Sequence, residues 1–209
     1  GVDSSVAAVM LKQQGYDVIG ITLRLYNNSN VSKNKSCCAG TDINDAKNVA
    51  LKNDFNHMVL DYQDKFFDGV INNFVDSYSS GETPLPCVKC NQTVKFTDLL
   101  SEAKKIGADA LATGHYAIRK GSSNNASLHK AKDFSKDQSF FLFATLQEQL
   151  NYVRFPLGDY KKSEIRQYAK EYNLSVSDKP DSQDICFVTS DSYRDLVKNL
   201  NPGVNKKGI

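Results

Sequence analysis

An alternation of helical and strand patterns is the feature that most constrains the fold. Residues 4–14 carry apolar side chains at helical spacing and end at Gly15, and residues 17–25 then form an apolar run with the density of a buried strand. Further strand patterns, separated by helical ones, lie at 57–60, 108–113 and 185–188. This order predicts an α/β fold, a doubly wound, mostly parallel sheet with helices on both faces.

The other segments complete this pattern. Helical patterns start near Asp42 and lie at 63–79, 91–105, 137–147, 161–172 and 191–200. Residues 116–132 predict a hairpin, and Asn201-Pro202-Gly203 marks a boundary. We therefore expect one domain over residues 1–200 and the start of a linker at 201–209.

Composition and charge limit the class of protein. The 209 residues, 40% of them hydrophobic, suffice for one packed domain. No apolar stretch approaches the length of a membrane span and no secretory signal is visible, so we expect a cytoplasmic protein without a membrane partner. Five cysteines, an odd number, fit catalytic or metal-bound thiols in a reducing compartment. At a net charge of +2, binding of a nucleic acid requires a local basic patch.

The first residues, Gly1-Val2-Asp3-Ser4-Ser5, lead directly into the first helix. A glycine turn at a helix start offers bare backbone N–H groups and the positive helix end to an anion such as phosphate. The carboxylate of Asp3 repels phosphate unless it holds Mg²⁺ or caps the helix. The segment resembles the tail of the Ser-Gly-Gly-x-Asp-Ser loop of ATP pyrophosphatases, whose first Ser-Gly and preceding strand we expect upstream. A simple cluster of capping residues is the alternative.

Cys87 and Cys90 form a Cys-x-x-Cys pair. Such a pair is typical of half a zinc site or of a redox pair, and Cys186 taken alone reads as an ordinary buried cysteine. Further zinc ligands are available at Cys37, Cys38, His57, His115 and His129.

The residues around Cys90 favour a reactive thiol instead. Pro84, Pro86 and Asn91 place Cys90 at the start of a helix, where the macrodipole stabilises a thiolate. Lys89 and Lys95 are nearby cations.

Five ordered motifs along almost the whole chain carry a resemblance to a known family. They are Gly1-Val2-Asp3-Ser4-Ser5, Thr83-Pro84-x-Pro86-x-x-x-Cys90-Asn91-x-x-x-Lys95-Phe96, Ala112-Thr113-Gly114-His115-Tyr116-Ala117, Lys136-Asp137-Gln138-Ser139-Phe140-Phe141-Leu142 and Ser182-Gln183-Asp184-Ile185-Cys186-Phe187. Together they resemble the catalytic domain of the tRNA-specific 2-thiouridylases of bacterial and mitochondrial type, whose fold is like that of the adenine-nucleotide alpha-hydrolases. We expect that family's central and β-barrel region beyond the linker.

The resemblance implies a role for each matched residue. Cys90 is implied as the nucleophile and Cys186 as the carrier of a persulfide sulfur. ATP contacts are implied for Gly1, Val2, Asp3, Ser4, Leu23 and Gly114. Contacts to the target base are implied for Leu85, Pro86 and Cys87. Contacts to tRNA are implied for Lys136, Asp137 and Gln138. The C-terminal part of the domain is expected to be helical and to contact tRNA.

The resemblance also implies partners and cofactors. They are ATP, Mg²⁺, tRNA and a persulfide donor protein, either a cysteine desulfurase or a relay, and the enzyme is expected as a monomer. Many family members have Asp at the position of Cys87, so a role of this residue in proton transfer is in doubt here. An iron–sulfur cluster or zinc bound by Cys87, Cys90 and Cys186 stays open.

Several charged residues are interpreted with less help from a motif. Lys136 and Arg119 are candidates for phosphate contacts. Lys161, Lys162 and Arg166 are interpreted as an ordinary helix face. For His115, the sequence supports a contact to phosphate or ribose and a structural role equally well.

Two other functions compete with thiolation. An ATP pyrophosphatase of amide-forming type needs no reactive cysteines. A truncated nucleotide- or metal-binding domain needs no activity at all.

Overall fold

A computed structural model describes residues 1–26, 40–122, 124–181, 185–188 and 193–201. Within these ranges the helices are α1 (Val2–Gln13), α2 (Gly40–Lys52), α3 (Gln63–Phe66), α4 (Asn72–Ser79), α5 (Pro86–Cys90), α6 (Leu100–Lys105), α7 (Gln147–Tyr152), α8 (Lys162–Glu171) and α9 (Tyr193–Leu200). The strands are β1 (Ile19–Arg24), β2 (Asn56–Asp61), β3 (Leu111–Ala112), β4 (Ile118–Lys120), β5 (Ser127–His129) and β6 (Val153–Arg154). Cys37, Cys38, the motif residues 182–184 and the expected linker residues 202–209 lie outside the described ranges.

Parallel pairing dominates the strands. β1 pairs with β2, with Leu23 opposite Leu60, and β3 pairs with β6. Leu23 and Leu60 also pack against the cluster that contains Leu111 of β3 and Val153 of β6, so the two parallel pairs share one core. Antiparallel pairing of β4 with β5 confirms the predicted hairpin. The predicted α/β class is therefore confirmed.

Helices α1 and α8 bury their apolar faces together. Val6, Val9 and Ile165 are at most 1% exposed and belong to one cluster. Burial of such side chains contributes about 1.5–3 kcal/mol each to folding. This packing brings the first turn of α1 next to the first turn of α8, where the polar groups of the candidate site lie.

Two predicted helices contain wide π-helical turns. The segment Phe67–Ile71 joins α3 to α4, and Asn91–Leu99 joins α5 to α6. The helical run predicted at 91–105 therefore starts earlier, at Pro86. Proline suits the first turn of a helix, because the N–H that it lacks would have no partner within the helix there. Wide turns of this kind are frequent at functional sites.

Two predicted elements are wrong. In place of a helix at 137–147 there is a short 3₁₀ turn, Ser139–Leu142, since the carboxylate of Asp137 accepts hydrogen bonds from the amides of Ala131 and Ser139 and from the Ser139 hydroxyl. Residues 185–188, predicted as a strand, form a turn closed by the bond from the Val188 amide to the Ile185 carbonyl at 3.1 Å.

No helix within the described ranges is long and apolar enough to cross a membrane.

Candidate active site

The first turn of α1 lies against the carboxyl end of β3. A Cβ added at Gly114 would lie 2.8 Å from the amide nitrogen of Ser4 and 3.0 Å from the carbonyl carbon of Asp3, so only glycine fits this contact. The Ser4 hydroxyl donates to the Gly1 carbonyl at 3.3 Å. Val2 is buried beneath the turn in the α1–α8 core. Five residues predicted to contact ATP, Gly1, Val2, Asp3, Ser4 and Gly114, thus lie around one helix start, at the strand edge where α/β folds bind ligands.

Asp3 takes part in an ion pair. Lys162 donates to its two carboxylate oxygens at 2.7 and 2.8 Å, and the hydroxyl of Tyr116 donates to Oδ1 at 2.8 Å. Burial, reinforced by the charge of Asp3, raises the pKa of Tyr116 far above its ordinary value. No side chain caps the start of α1, so Asp3 does not act as its helix cap. A role of Asp3 as a Mg²⁺ ligand stays a prediction.

Lys162 also reaches a second carboxylate. Its ammonium lies 2.9 Å from Asp181, which further contacts Arg166 at 2.8 Å and Lys136 at 3.1 Å. Burial raises the pKa of Asp181, but the hydrogen bonds and charges of Lys162 and Lys136 outweigh it and lower this pKa to about 2. We call Asp3, Lys162, Asp181, Arg166 and Lys136 the ion network.

The ion network corrects the interpretation of the α8 cations. Lys162 and Arg166 are not an ordinary solvated face, because the Lys162 side chain is only 12% exposed and Arg166 donates to the carbonyls of Ser177 and Lys179 at 2.7 Å. Their spacing of four residues, flanking the core residue Ile165, was the sequence signal for an inward-facing pair.

Cys90 lies in an apolar cluster at the end of α5. It is 8% exposed and shares this cluster with Phe66, Val70 and Phe74, among others. The predicted position at a helix start is wrong, because α5 begins at Pro86 and places Cys90 one turn further on. Its neighbours in this cluster are apolar side chains.

The Cys186 segment is anchored on the same cluster. Phe187 is 8% exposed and packs edge-on against Phe66 and Phe74, with ring centroids 5.6 and 5.2 Å apart. Cys186 is half-buried against this cluster, and its carbonyl accepts a hydrogen bond from the hydroxyl of Tyr26 at 2.8 Å. The structure thus brings together, on one apolar cluster, two cysteines that are 96 residues apart in the sequence.

The residues expected to border the target base lie at the start of α5. Leu85 is 45% exposed, Cys87 is exposed, and Pro86 between them is buried. Across the described ranges, no three His, Cys, Asp or Glu side chains come close enough to hold a metal ion. The described geometry therefore gives the alternative of an iron–sulfur cluster or zinc at Cys87, Cys90 and Cys186 no support.

Comparison with known proteins identifies the family. Residues 1–190 match the family described as the tRNA methyl transferase HUP domain. The chain belongs to this family. Relatives from Hyphomonas neptunium and Orientia tsutsugamushi, each named tRNA-specific 2-thiouridylase MnmA, are 54% and 55% identical to it over all 209 residues. The chain spans about half the length of these relatives, 53% and 57% respectively.

A solved structure supports the HUP fold. NMN synthetase from Francisella tularensis superposes with a TM-score of 0.51, covering 100% of this chain and 75% of the other, at 15% identity. Similarity at this level of identity concerns the fold alone.

Three other predicted residues of the HUP domain have clear structural partners. The side-chain oxygen of Gln138 accepts a hydrogen bond from the backbone N–H of Tyr116 at 2.9 Å. The backbone N–H of Gln138 donates to the Tyr116 carbonyl at 2.8 Å. Arg119, a candidate for phosphate, instead donates to backbone carbonyls, including that of Leu150 at 2.8 Å. His115 lies 2.9 Å from the Thr113 hydroxyl, and burial, then Lys95, lowers its pKa well below the ordinary value.

An exposed aromatic patch adjoins α5, the helix that carries Cys90, which we call the thiol helix. Phe140 and Phe143 are 58% and 62% exposed, with ring centroids 5.9 Å apart. They line a hollow of about 440 Å³ together with Leu128, His129, Lys130, Asp137 and Ser139. Asn91, which follows Cys90, donates to the Phe141 carbonyl at 3.0 Å and so ties this turn to the thiol helix. The sequence motif pointed to this turn, but exposure of the rings required the structure.

Proposed function

We propose that this chain is the catalytic domain of an ATP-dependent tRNA 2-thiouridylase. The enzyme adenylates O2 of the wobble uridine, position 34, and replaces that oxygen with persulfide sulfur, which gives 2-thiouridine, AMP and pyrophosphate. The observation that carries the proposal is that Cys90 and Cys186 are anchored on one apolar cluster in a domain where the start of α1 packs closely on Gly114 at the end of β3.

In the first step, O2 of the uridine attacks the α-phosphorus of ATP and pyrophosphate leaves. The backbone N–H groups at the start of α1 and the positive end of its macrodipole face the phosphates. Leu23, half-buried between the two apolar clusters, lies beside the adenine in this proposal. Bound with ATP, Mg²⁺ would supply neutralisation of the phosphate charge. The Asp3 carboxylate at the start of α1 would hold it on release from Lys162, with which it is paired in this structure.

In the second step, the outer sulfur of the Cys186 persulfide attacks C2 of the adenylated base and AMP leaves. The Cys90 thiolate then attacks the Cys186 sulfur, which breaks the S–S bond and releases 2-thiouridine. The products on the protein are a Cys90–Cys186 disulfide, which a dithiol reductant returns to two thiols. A cysteine desulfurase or a relay protein reloads Cys186.

Recognition of tRNA draws on features of the described surface. The target base leaves the anticodon stack, as other base-modifying enzymes require, and unstacked RNA bases bind exposed aromatic rings. Phe140 and Phe143, with Lys130 beside them, provide such rings next to the thiol helix. Leu85, Pro86 and Cys87 border the target base, and the Lys136–Gln138 turn contacts the tRNA. We further propose a cytoplasmic monomer whose catalytic domain spans residues 1–200.

The test is mass spectrometry of anticodon nucleosides after incubation of the full-length protein with tRNA, ATP, Mg²⁺ and a persulfide donor. We expect 2-thiouridine from the wild type and none from Cys90→Ser or Cys186→Ser. Both variants keep ATP–pyrophosphate exchange, because adenylation does not use either sulfur, and this exchange is the internal control.

Other outcomes identify the competing functions. An amide-forming enzyme keeps full activity in both serine variants. A binding domain without activity shows no pyrophosphate exchange at all. A methyltransferase, the activity that the name of the matched family contains, would give a methylated rather than a thiolated nucleoside.

A further inference from the structure

Lys162 bridges two carboxylates that belong to different parts of the proposed mechanism. Its ammonium has three N–H donors, and three carboxylate oxygens lie within 2.9 Å of it, two from Asp3 and one from Asp181. The side chain is 12% exposed and its ammonium lies 5.6 Å from the centre of the Tyr116 ring. Three donors and three carboxylate oxygens thus lie within hydrogen-bonding distance of each other.

The two carboxylates lie in different segments of the chain. Asp3 is in the first turn of α1, at the nucleotide loop. Asp181 lies five residues before Cys186 and follows a stretch whose carbonyls, at Ser177 and Lys179, are held by Arg166. The stretch that leads to the sulfur-carrying cysteine is thus fastened to α8, and α8 is fastened to the nucleotide loop.

A shared ammonium makes the two segments respond to each other. A charge-assisted hydrogen bond is roughly twice as strong as a neutral one, and a partly buried pair is little screened by salt. When a phosphate oxygen near α1 displaces the Asp3 carboxylate from Lys162, the phosphate and Asp181 then compete for the same three donors. The position of Asp181 is therefore linked to the state of the loop.

We propose that Lys162 is a positioning residue that holds the Cys186 segment in register with the nucleotide loop. The proposal rests on the proposed function, because its consequence is that the adenylated base and the sulfur meet at one place. Without this bridge adenylation continues, but the sulfur reaches C2 less often.

The test compares Lys162→Met and Lys162→Arg with Lys170→Met, a control on the same helix whose side chain is 66% exposed. Two quantities are measured on the full-length protein. The first is the ratio of 2-thiouridine formed to pyrophosphate released. The second, which needs no catalytic activity, is the rate of alkylation of Cys186 after reduction, followed by peptide mass spectrometry.

We expect Lys162→Met to lower the ratio about tenfold to a hundredfold, the loss that a misplaced reacting group causes. The same variant raises the alkylation rate of Cys186 several-fold, Lys162→Arg restores much of both, and Lys170→Met matches the wild type. An unchanged ratio together with an unchanged alkylation rate overturns the proposal.

Two further results keep the proposals separable. If Lys162→Met does not fold, Asp181→Asn removes one end of the bridge at constant size and is subject to the same two expectations. If the wild type forms no 2-thiouridine, the proposed function fails, while the alkylation rate still decides whether Lys162 holds the segment.

Discussion

Gly114 touches the backbone of Ser4 so closely that no side chain fits between them. The nearest approach of an added Cβ would be 2.8 Å, to the Ser4 amide nitrogen. The same amide belongs to the helix start that faces the phosphates in the proposed function. The end of β3 therefore sets the position of the donors that the nucleotide meets.

Replacement of this glycine is expected to move the loop. Gly114→Ala lowers the free energy of unfolding by about 1–3 kcal/mol, the usual cost of overpacking, and weakens ATP binding. Gly40→Ala, where an added Cβ meets nothing within 4 Å, is the matched control. Calorimetric titration with ATP and denaturant unfolding check both quantities. Unchanged ATP affinity in Gly114→Ala contradicts a role of this contact in nucleotide binding.

The low pKa of Asp181 predicts a dependence of stability on pH. Its folded pKa of about 2 lies below the ordinary value of 3.8, so its ion pairs stabilise the fold above about pH 4, and this contribution is lost as the pH falls towards 2. Asp181→Asn is therefore less stable than the wild type at pH 6, by on the order of 1 kcal/mol after allowance for solvent screening. The difference shrinks at pH 2–3. Urea unfolding at a series of pH values measures it.

Asp178→Asn is the control for that series. The Asp178 side chain is 86% exposed and 3.8 Å from Lys170, so its replacement is expected to change stability little at any pH. A difference between Asp181→Asn and wild type that stays constant from pH 6 to pH 2 argues against the ion network as its source.

Phe187 is expected to position its neighbour Cys186. Phe187→Ala removes the edge-on contacts to Phe66 and Phe74 and costs about 3–5 kcal/mol of stability. Thiolation falls while pyrophosphate exchange persists in the folded fraction, and Phe187→Leu gives a milder form of both effects. Tyr16→Ala, at a residue 60% exposed, is the control. Equal losses of thiolation and exchange would contradict a role specific to the sulfur segment.

The aromatic patch predicts a defect in RNA binding without a defect in folding. Phe140→Ala and Phe143→Ala each raise the Kd for tRNA about fivefold to a hundredfold, the energy of one stacked base. Neither changes the melting temperature appreciably, because both rings are more than half exposed. Filter binding measures the Kd, and Leu51→Ala, at a residue 72% exposed on α2, is the control. Wild-type affinity in the double variant excludes the patch from tRNA contact.

Local patterns predicted much of the fold but not its ion network. The strand at 17–25 and the hairpin at 116–132 were visible because apolar spacing and turn residues are local signals. The partners of Lys162 were invisible, since Asp3 lies 159 residues away and the ion pair exists only after α1 and α8 pack. The spacing along α8 shows that Lys162 lies beside the core residue Ile165, but it does not show which carboxylate Lys162 meets.

Errors in the site have similar causes. Two prolines made Cys90 look like the start of a helix, yet only Pro86 enters the first turn and Cys90 is carried into the core with Phe66. The motif around Asp137 favoured a helix, and the side chain of Asp137 itself closes the backbone into a turn. At Cys90, packing in the core outweighed the average preference of the segment. At Asp137, hydrogen bonds to its side chain did so.

The packing of α1 on α8 has a consequence for synthesis on the ribosome. Val2 in the first turn of α1 enters a core that includes Ile165 and Ala169, so the packing of α1 stays incomplete until more than 150 further residues have been translated. Contacts of such sequence separation fold slowly and leave apolar surface open in the meantime. The apolar face of α1 in the nascent HUP domain therefore stays uncovered through most of translation, and the nucleotide loop is among the last parts to become competent.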